Sequence, residues 1–163
     1  GDNDRRGVAL LINSNLASTA HSLPNHLIRL NAVAANLIIN DLIILIISFY
    51  IPANTQVPDD LLQYASQNRH TIIMGDFNAR HTDFGDIDSN PTGRSLIQTT
   101  TNLPLQRLYN TEPTFINARG ASISDHIFVS EQLLPLVNPH SSIGTTVTSD
   151  HLPLTTQKPS TDK

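Results

Sequence analysis

The 163-residue sequence predicts a layered α/β sandwich, and three observations predict it. Short apolar runs broken by Asn, Asp, Pro and Gly recur along the chain, as strands and turns do. One of them, Leu42–Tyr50, is nearly all apolar and rich in Ile, the pattern of a central strand buried on both faces. Helical patterns are too few to follow every strand, as a doubly wound parallel sheet would require.

Taken in order, residues 8–12 read as a strand stopped by Asn13-Ser14-Asn15. Residues 26–34 alternate as a second strand, and 37–39 form a third run. Asn40-Asp41 then separates that run from the central strand, which is a hairpin signal. Pro58 opens the first helix, over 58–68: Asp59 and Asp60 favour its positive end, and Leu61, Leu62 and Ala65 make its apolar face. Residues 71–74 are another buried strand, ended by Gly75. Residues 80–91 are a polar loop, and Thr92 caps a second helix to about Thr101. Residues 103–109 lead into a strand, 124–129 are a strand, and Ser130 caps a helix over 131–137. Residues 145–148 and 152–156 are short closing strands, and 157–163 a flexible tail after one domain over 1–156.

Composition narrows the function. With no cysteine, disulfides, thiolate metal ligands and a Cys nucleophile are all excluded. A net charge of −4 excludes a generic basic nucleic-acid coat. No apolar run approaches the ~20 residues of a membrane helix, and residues 1–6 do not read as a signal peptide. Absent cysteine and signal point to an intracellular protein. Acidic residues are twelve Asp and only two Glu, Glu112 and Glu131. Eight of the ten basic residues are Arg, the better phosphate fork, but they are scattered.

Residues of catalytic type follow buried strands at four places, where a rigid sheet can present them to a cleft. Tyr50 ends the central strand; there it is either core with its hydroxyl at solvent or a site residue. In Gly75-Asp76-Phe77-Asn78, Asp76 and Asn78 have strand spacing, so a carboxylate and a carboxamide face the same way. Together they can orient a water, hold a metal or bind a phosphate, and the same residue types also make turns. Asp125 lies inside an apolar strand, a costly place for a charge unless a histidine pairs with it or the strand is an edge. In Ser149-Asp150-His151, His151 can steady a phosphate oxyanion and Asp150 can bind Mg²⁺; as a loop, the same residues would be surface. The remaining histidines lack metal-ligand spacing.

The order of these signals is more specific than any one of them. Tyr-x-Pro-x-Asn at 50–54, Gly-Asp-Phe-Asn-Ala at 75–79, Pro-Thr-Phe at 113–115, Asp125, and Ser-Asp-His-x-Pro at 149–153 follow in succession. The chain thus resembles the endonuclease/exonuclease/phosphatase superfamily, which includes the apurinic/apyrimidinic endonucleases. Through Asn-Ala-Arg-His at 78–81, Phe84-Gly85 and Gly93-Arg94-Ser95-Leu96, it looks most like the endonuclease domains of non-LTR retrotransposons.

The resemblance implies a four-layered α/β sandwich of mainly antiparallel sheets and Mg²⁺-dependent (or Mn²⁺-dependent) hydrolysis of a DNA phosphodiester. Asp76 would activate or orient the attacking water, and Asn78 would fix Asp76 and touch the phosphate. Tyr50 would contact the phosphate or assist proton transfer. His151, held by Asp125, would stabilise the non-bridging oxygens, and Asp150 would bind the metal. Phe115, Arg80 and His81 would face DNA. The implied partners are DNA and a reverse transcriptase domain on the same polyprotein, with no membrane, and the implied place is the nucleus for part of the cycle.

The family's first strand, with its Asn, and the metal-binding Glu that follows have no counterpart in this sequence, which reads as N-terminally truncated. Exposed sheet edge would then invite dimerisation, and cleavage by the chain alone would be weak or absent. Two other functions share the motifs: a catalytically impaired nucleic-acid-binding or interaction module, and a phosphatase of small phosphoesters.

Overall fold

The computed structural model describes residues 7–137, 142–143, 151 and 154–155. The elements run β1 (Ala17–His21), β2 (Ala32–Ile39), β3 (Leu42–Tyr50), α1 (Asp59–Ser66), β4 (Thr71–Asp76), α2 (Pro91–Thr101) and β5 (Leu105–Arg107). They continue with β6 (Phe115–Asn117), β7 (Gly120–Ser122), β8 (Asp125–Ser130), β9 (Ser142–Ile143) and β10 (Leu154–Thr155). Among the described residues, six strands form one sheet in the order β1-β2-β3-β4-β8-β5. All its ladders are antiparallel except β3 with β4, which α1 connects as a crossover. This is the mixed, mainly antiparallel α/β architecture that the sequence predicts.

Strand alternation divides the apolar residues between two faces. Leu45, Ile47 and Phe49 of β3, Ile73 of β4 and Phe128 of β8 pack under Leu61, Leu62 and Ala65 of α1 and Leu96 of α2. Ile44, Ile46, Ile72 and Met74 face the other way, against Leu10, Ile12 and Leu133. Ile127 and Val129 continue that second face and meet Leu154 of the β9–β10 pair.

Several boundaries depart from the expected ones, each for a local reason. Residues 8–12 do alternate, but Leu10 and Ile12 pack on the sheet face without entering a ladder, and Leu11 is exposed. Asn25–Leu27 is a 3-10 turn entered through Pro24, so the second and third runs merge into the single strand β2. The hairpin at Asn40-Asp41 is as expected, both residues taking positive φ (49° and 66°), as a type I′ turn requires. Asn90, not Thr92, caps α2: its side chain accepts from Gly93 N at 2.7 Å, while Thr92 Oγ1 donates to Thr55 O. No α-helix follows Ser130. Its hydroxyl is committed to Arg69 O and Thr71 N, and Pro135 leaves only a 3-10 turn at Leu134–Leu136. Residues 145–148, 152–153, 156 and the expected tail lie outside the described residues.

Gly75 carries the register between β3 and β4. Its φ is 154°, and a Cβ there would lie 1.7 Å from the Phe49 carbonyl oxygen. Gly75→Ala is therefore expected to destabilise the fold by about 3 kcal/mol, read as a lower urea midpoint at unchanged slope. A wild-type midpoint would show that β4 can slide without cost.

Candidate active site

Tyr50, Asp76 and Asp125 stand in one row at one end of the sheet, because the ladders pair Tyr50 with Asp76 and Asp76 with Asp125. By alternation they share the face of Ile46, Met74 and Ile127, opposite the helices. His151 closes the row. Its Nδ1 lies 2.7 Å from Asp125 Oδ2, and its Nε2 lies 3.5 Å from Asp76 Oδ2. Asp125 Oδ2 also accepts from Ser124 Oγ at 3.3 Å, so the carboxylate is the acceptor and His151 Nδ1 the donor. Buried Thr114 holds the start of β8, its hydroxyl oxygen accepting from the backbone N–H of both Ser124 and Asp125. Phe115 pairs with His151 through an isolated bridge, and the two rings lie 4.8 Å apart.

Burial pushes the Asp76 carboxyl up to about 6. The Asn78 N–H, bonded to Oδ1 at 2.9 Å, pulls it down; the Asp125 charge adds to the rise, and His151 opposes it. Asn78 itself is left-handed, with φ 46°. Its Nδ2 donates to Ile51 O at 2.6 Å, and its carbonyl accepts from Asn90 Nδ2 at 2.9 Å. Asn90 Oδ1 also accepts from Arg80 N, tying the turn after Asp76 to the start of α2. Gly93 allows that approach, since a Cβ there would lie 1.8 Å from Arg80 O.

Two clefts meet at His151. One, of about 380 Å³, is lined by Tyr50, Asp76 and Asp125 together with Gly7 and Val8. The other, of about 210 Å³, is lined by Asn54, Asn78, Asn90, Arg80, Ser124 and Phe115. One cleft offers carboxylates and the other offers amides, hydroxyls and a guanidinium. Ligand atoms of Asp76, Asp125 and His151 lie within 4.8 Å of one another, a group able to hold a metal ion. The donor chemistry fits a hard divalent cation: two carboxylates crowd together, and burial disfavours the charge on one of them. Neither described glutamate belongs to this group. Glu131 follows the far end of β8, and Glu112 accompanies the Asn110 turn.

The structure brings Tyr50, Asp76, Asn78, Asp125, His151 and Phe115 together around the two clefts. Arg80 reaches the amide-lined cleft, although Asp88 pairs with its Nε at 3.0 Å. His81 does not line either cleft; its Nδ1 accepts from Asp83 N and caps a 3-10 turn. Asp150 lies outside the described residues.

His126, neighbour of Asp125, is fully buried on the helix face. Burial, with Arg107 beside it, holds its imidazole down to about 3. Because the folded value is depressed, an unfolded chain takes up a proton below about 6.5 that the native state refuses. His126 therefore makes stability fall as pH drops from about 6.5 toward 3. Urea midpoints from pH 7 to 4 are expected to fall less steeply in His126→Phe than in the wild type; parallel curves would rule out this contribution.

A profile of the family described as Endonuclease-reverse transcriptase matches residues 44–155, more than half of the chain. The chain belongs to this family. No match is found among curated proteins. Among solved structures, the endonuclease domain of TRAS1, a telomere-specific non-LTR retrotransposon, superposes with a TM-score of 0.79 at 21% identity, covering 93% of this chain and 73% of that one. The 3′ phosphatase NExo from Neisseria, bound to a product DNA hairpin, superposes with a TM-score of 0.56 at 15% identity, covering 90% and 71%. The inositol polyphosphate 5-phosphatase domain of a synaptojanin gives 0.55 at 15% identity, covering 88% and 54%. With the family match, these likenesses show that the chain shares the endonuclease/exonuclease/phosphatase fold.

Sequence reasoning missed three contributors. Thr114 lies within the Pro-Thr-Phe motif, yet nothing in the motif tells which backbone groups its hydroxyl takes. Asn90 looked like loop, though an Asn directly before Pro91 is a cap signal. Asp86 is held by the N–H groups of Ile123 and His81, and so ties the 80–91 loop to the start of β8.

Proposed function

We propose that the chain is a DNA endonuclease domain of a non-LTR retrotransposon, hydrolysing one phosphodiester bond with a divalent cation, Mg²⁺ or Mn²⁺, bound. One observation carries the reading: His151 stands between a carboxylate cleft and a cleft of amides and a guanidinium. A cation and a phosphate need those two environments side by side. Asp76, in the carboxylate cluster, and Asp150, by its motif position, would hold the cation, which when bound would supply positive charge against the developing oxyanion.

The protein groups do the rest. Asp76 orients the attacking water and accepts its proton. Asn78 fixes the Asp76 rotamer through its backbone N–H and offers its remaining side-chain N–H to the phosphate. His151, held through Nδ1 by Asp125, donates from Nε2 to a non-bridging oxygen as an imidazolium whose charge Asp125 offsets. Tyr50 contacts the phosphate or passes a proton. One P–O bond forms to the water oxygen as its proton passes to Asp76, the bond to the leaving sugar oxygen breaks, and that oxygen takes a proton from Tyr50 or from solvent to become the hydroxyl of a primer end. Phe115, whose ring lies tilted against His151, and Arg80 face the DNA from the amide-lined cleft, and His81, outside both clefts, is the third residue assigned to DNA contact. The exposed edge strand β1 is where a second copy would pair, and a reverse transcriptase domain and a nuclear setting belong to the same reading.

The test is nicking of supercoiled DNA with Mg²⁺, beside hydrolysis of a small phosphomonoester. Slow, cation-dependent nicking that disappears in Asp76→Asn is expected. Salt-dependent DNA binding without cleavage would instead make the chain a binding module. Turnover of the phosphomonoester alone would make it a phosphatase.

A further inference from the structure

Beneath the row of Tyr50, Asp76 and Asp125, on the helix-covered face of the same strands, lies a polar pair that the reaction does not touch. Arg107 of β5 donates from Nε to His126 Nδ1 at 3.0 Å, and from a terminal nitrogen to Asn110 O at 2.6 Å. Its guanidinium lies 4.7 Å over the Phe84 ring. A guanidinium only donates, so His126 Nδ1 is the acceptor and the ring proton sits on Nε2. That nitrogen lies 3.2 Å from Ala79 O, in the turn that carries Asp76 and Asn78.

The carbonyls of Asp76, Asn78, Ala79 and Arg80 in that turn are all held, that of Asp76 by the Ile51 N–H at 2.9 Å. Those of Asn78 and Arg80 accept from the side chain and backbone N–H of Asn90, at 2.9 and 3.0 Å. Only the carbonyl of Ala79, between them, depends on His126. The imidazole itself is fixed: the rings of Phe77 and Phe84 flank it at 5.4 and 4.6 Å. A buried imidazole beside a largely buried guanidinium is costly, and apolar side chains would fill the same space more cheaply.

We propose that His126 and Arg107 are positioning residues for the Asp76–Asn78 turn. By holding the Ala79 carbonyl they fix the left-handed Asn78, and through it the N–H that sets the Asp76 carboxylate. The activity half of the test rests on the nuclease reading; the structural half does not.

His126→Phe keeps an aromatic ring and removes both hydrogen bonds, His126→Gln keeps a donor toward Ala79, and Arg107→Met removes the upstream donor. In His126→Phe, kcat for nicking is expected to fall about 10- to 100-fold with KM within about twofold of wild type. His126→Gln is expected to recover most of that loss, and Arg107→Met to fall between. Amide hydrogen exchange supplies the second readout: the Asn78 N–H is expected to exchange at least about tenfold faster in His126→Phe, with β3 amides unchanged.

Unchanged exchange at Asn78 in both His126→Phe and Arg107→Met overturns the proposal, whether or not the wild type cleaves DNA. Faster exchange throughout the sheet overturns it too, since the pair would then only hold the core. A wild type that does not nick, with exchange responding as expected, sinks the nuclease reading and leaves the positioning role standing. Should His126→Phe fail to fold, Arg107→Met carries both readouts.

Discussion

Asp76→Asn is expected to reduce DNA nicking by at least about 10³-fold and, with the cation chelated, to make the protein more stable. The two effects have one cause. The Asp76 side chain is only 17% exposed, and burial lifts its carboxyl from 3.8 to about 6. A folded value above the unfolded one means that this group's contribution is fully present below 3.8 and is lost as pH rises through about 6. At pH 7 the native state therefore carries an unfavourable charge. The full shift corresponds to about 3 kcal/mol; residual exposure and the sharing of charge with Asp125 and His151 reduce it to about 1–2 kcal/mol. Asparagine keeps the Oδ1 acceptor for Asn78 N–H and cannot ionise. In EDTA at pH 7, Asp76→Asn should unfold at higher urea than the wild type, and the gap should close below about pH 4. Adding Mg²⁺ should raise the wild-type midpoint and leave the variant's unchanged. A variant less stable than wild type at pH 7 would mean that the protein already neutralises Asp76 without a cation.

That row was legible in the sequence because each member ends or begins an apolar run. Tyr50 closes the Ile-rich strand, Asp76 follows the buried run at 71–74 across a glycine, and Asp125 opens the next buried strand. Helix α1 was equally legible, since Pro58, two acids and the Leu61, Leu62, Ala65 stripe all point to the same element. What escaped notice has no apolar signature. Strand β1 is Ala-Ser-Thr-Ala-His, exposed over its first four residues, because an edge strand has no core to face. The hairpin of β6 and β7 has three residues in each arm, too short for alternation to register. His126 directly follows Asp125, and because adjacent strand positions face opposite sides, its side chain lies in the core. Hydrogen bonds such as Thr114 to β8, or Asp86 to Ile123, join segments distant in sequence, and no local pattern encodes them.

Removing either member of the Asp125–His151 pair is expected to cost nearly as much as removing both. His151→Ala removes the only imidazole described between the two clefts, an expected loss of about 10³-fold in kcat. Asp125→Asn leaves the ring in place but replaces an acceptor by an amide able to donate to Nδ1. The preferred tautomer then reverses, the developing positive charge on the ring loses its counterion, and a comparable loss of about 10³-fold follows. In the double variant there is no ring left to orient, so the combined loss stays near 10³-fold rather than the ~10⁶-fold of independent contributions. The geometry requires this: Asp125 reaches the reacting atoms through a 2.7 Å bond to Nδ1, and the side of the ring facing Asp76 is the other nitrogen. Single-turnover nicking at saturating Mg²⁺ measures the cycle without interference from product release. Losses that multiply would show that Asp125 acts on its own, as a cation ligand rather than as the support of His151. A small Asp125→Asn loss beside a large His151→Ala loss would assign the orientation of the ring to Phe115, whose ring lies 4.8 Å from it.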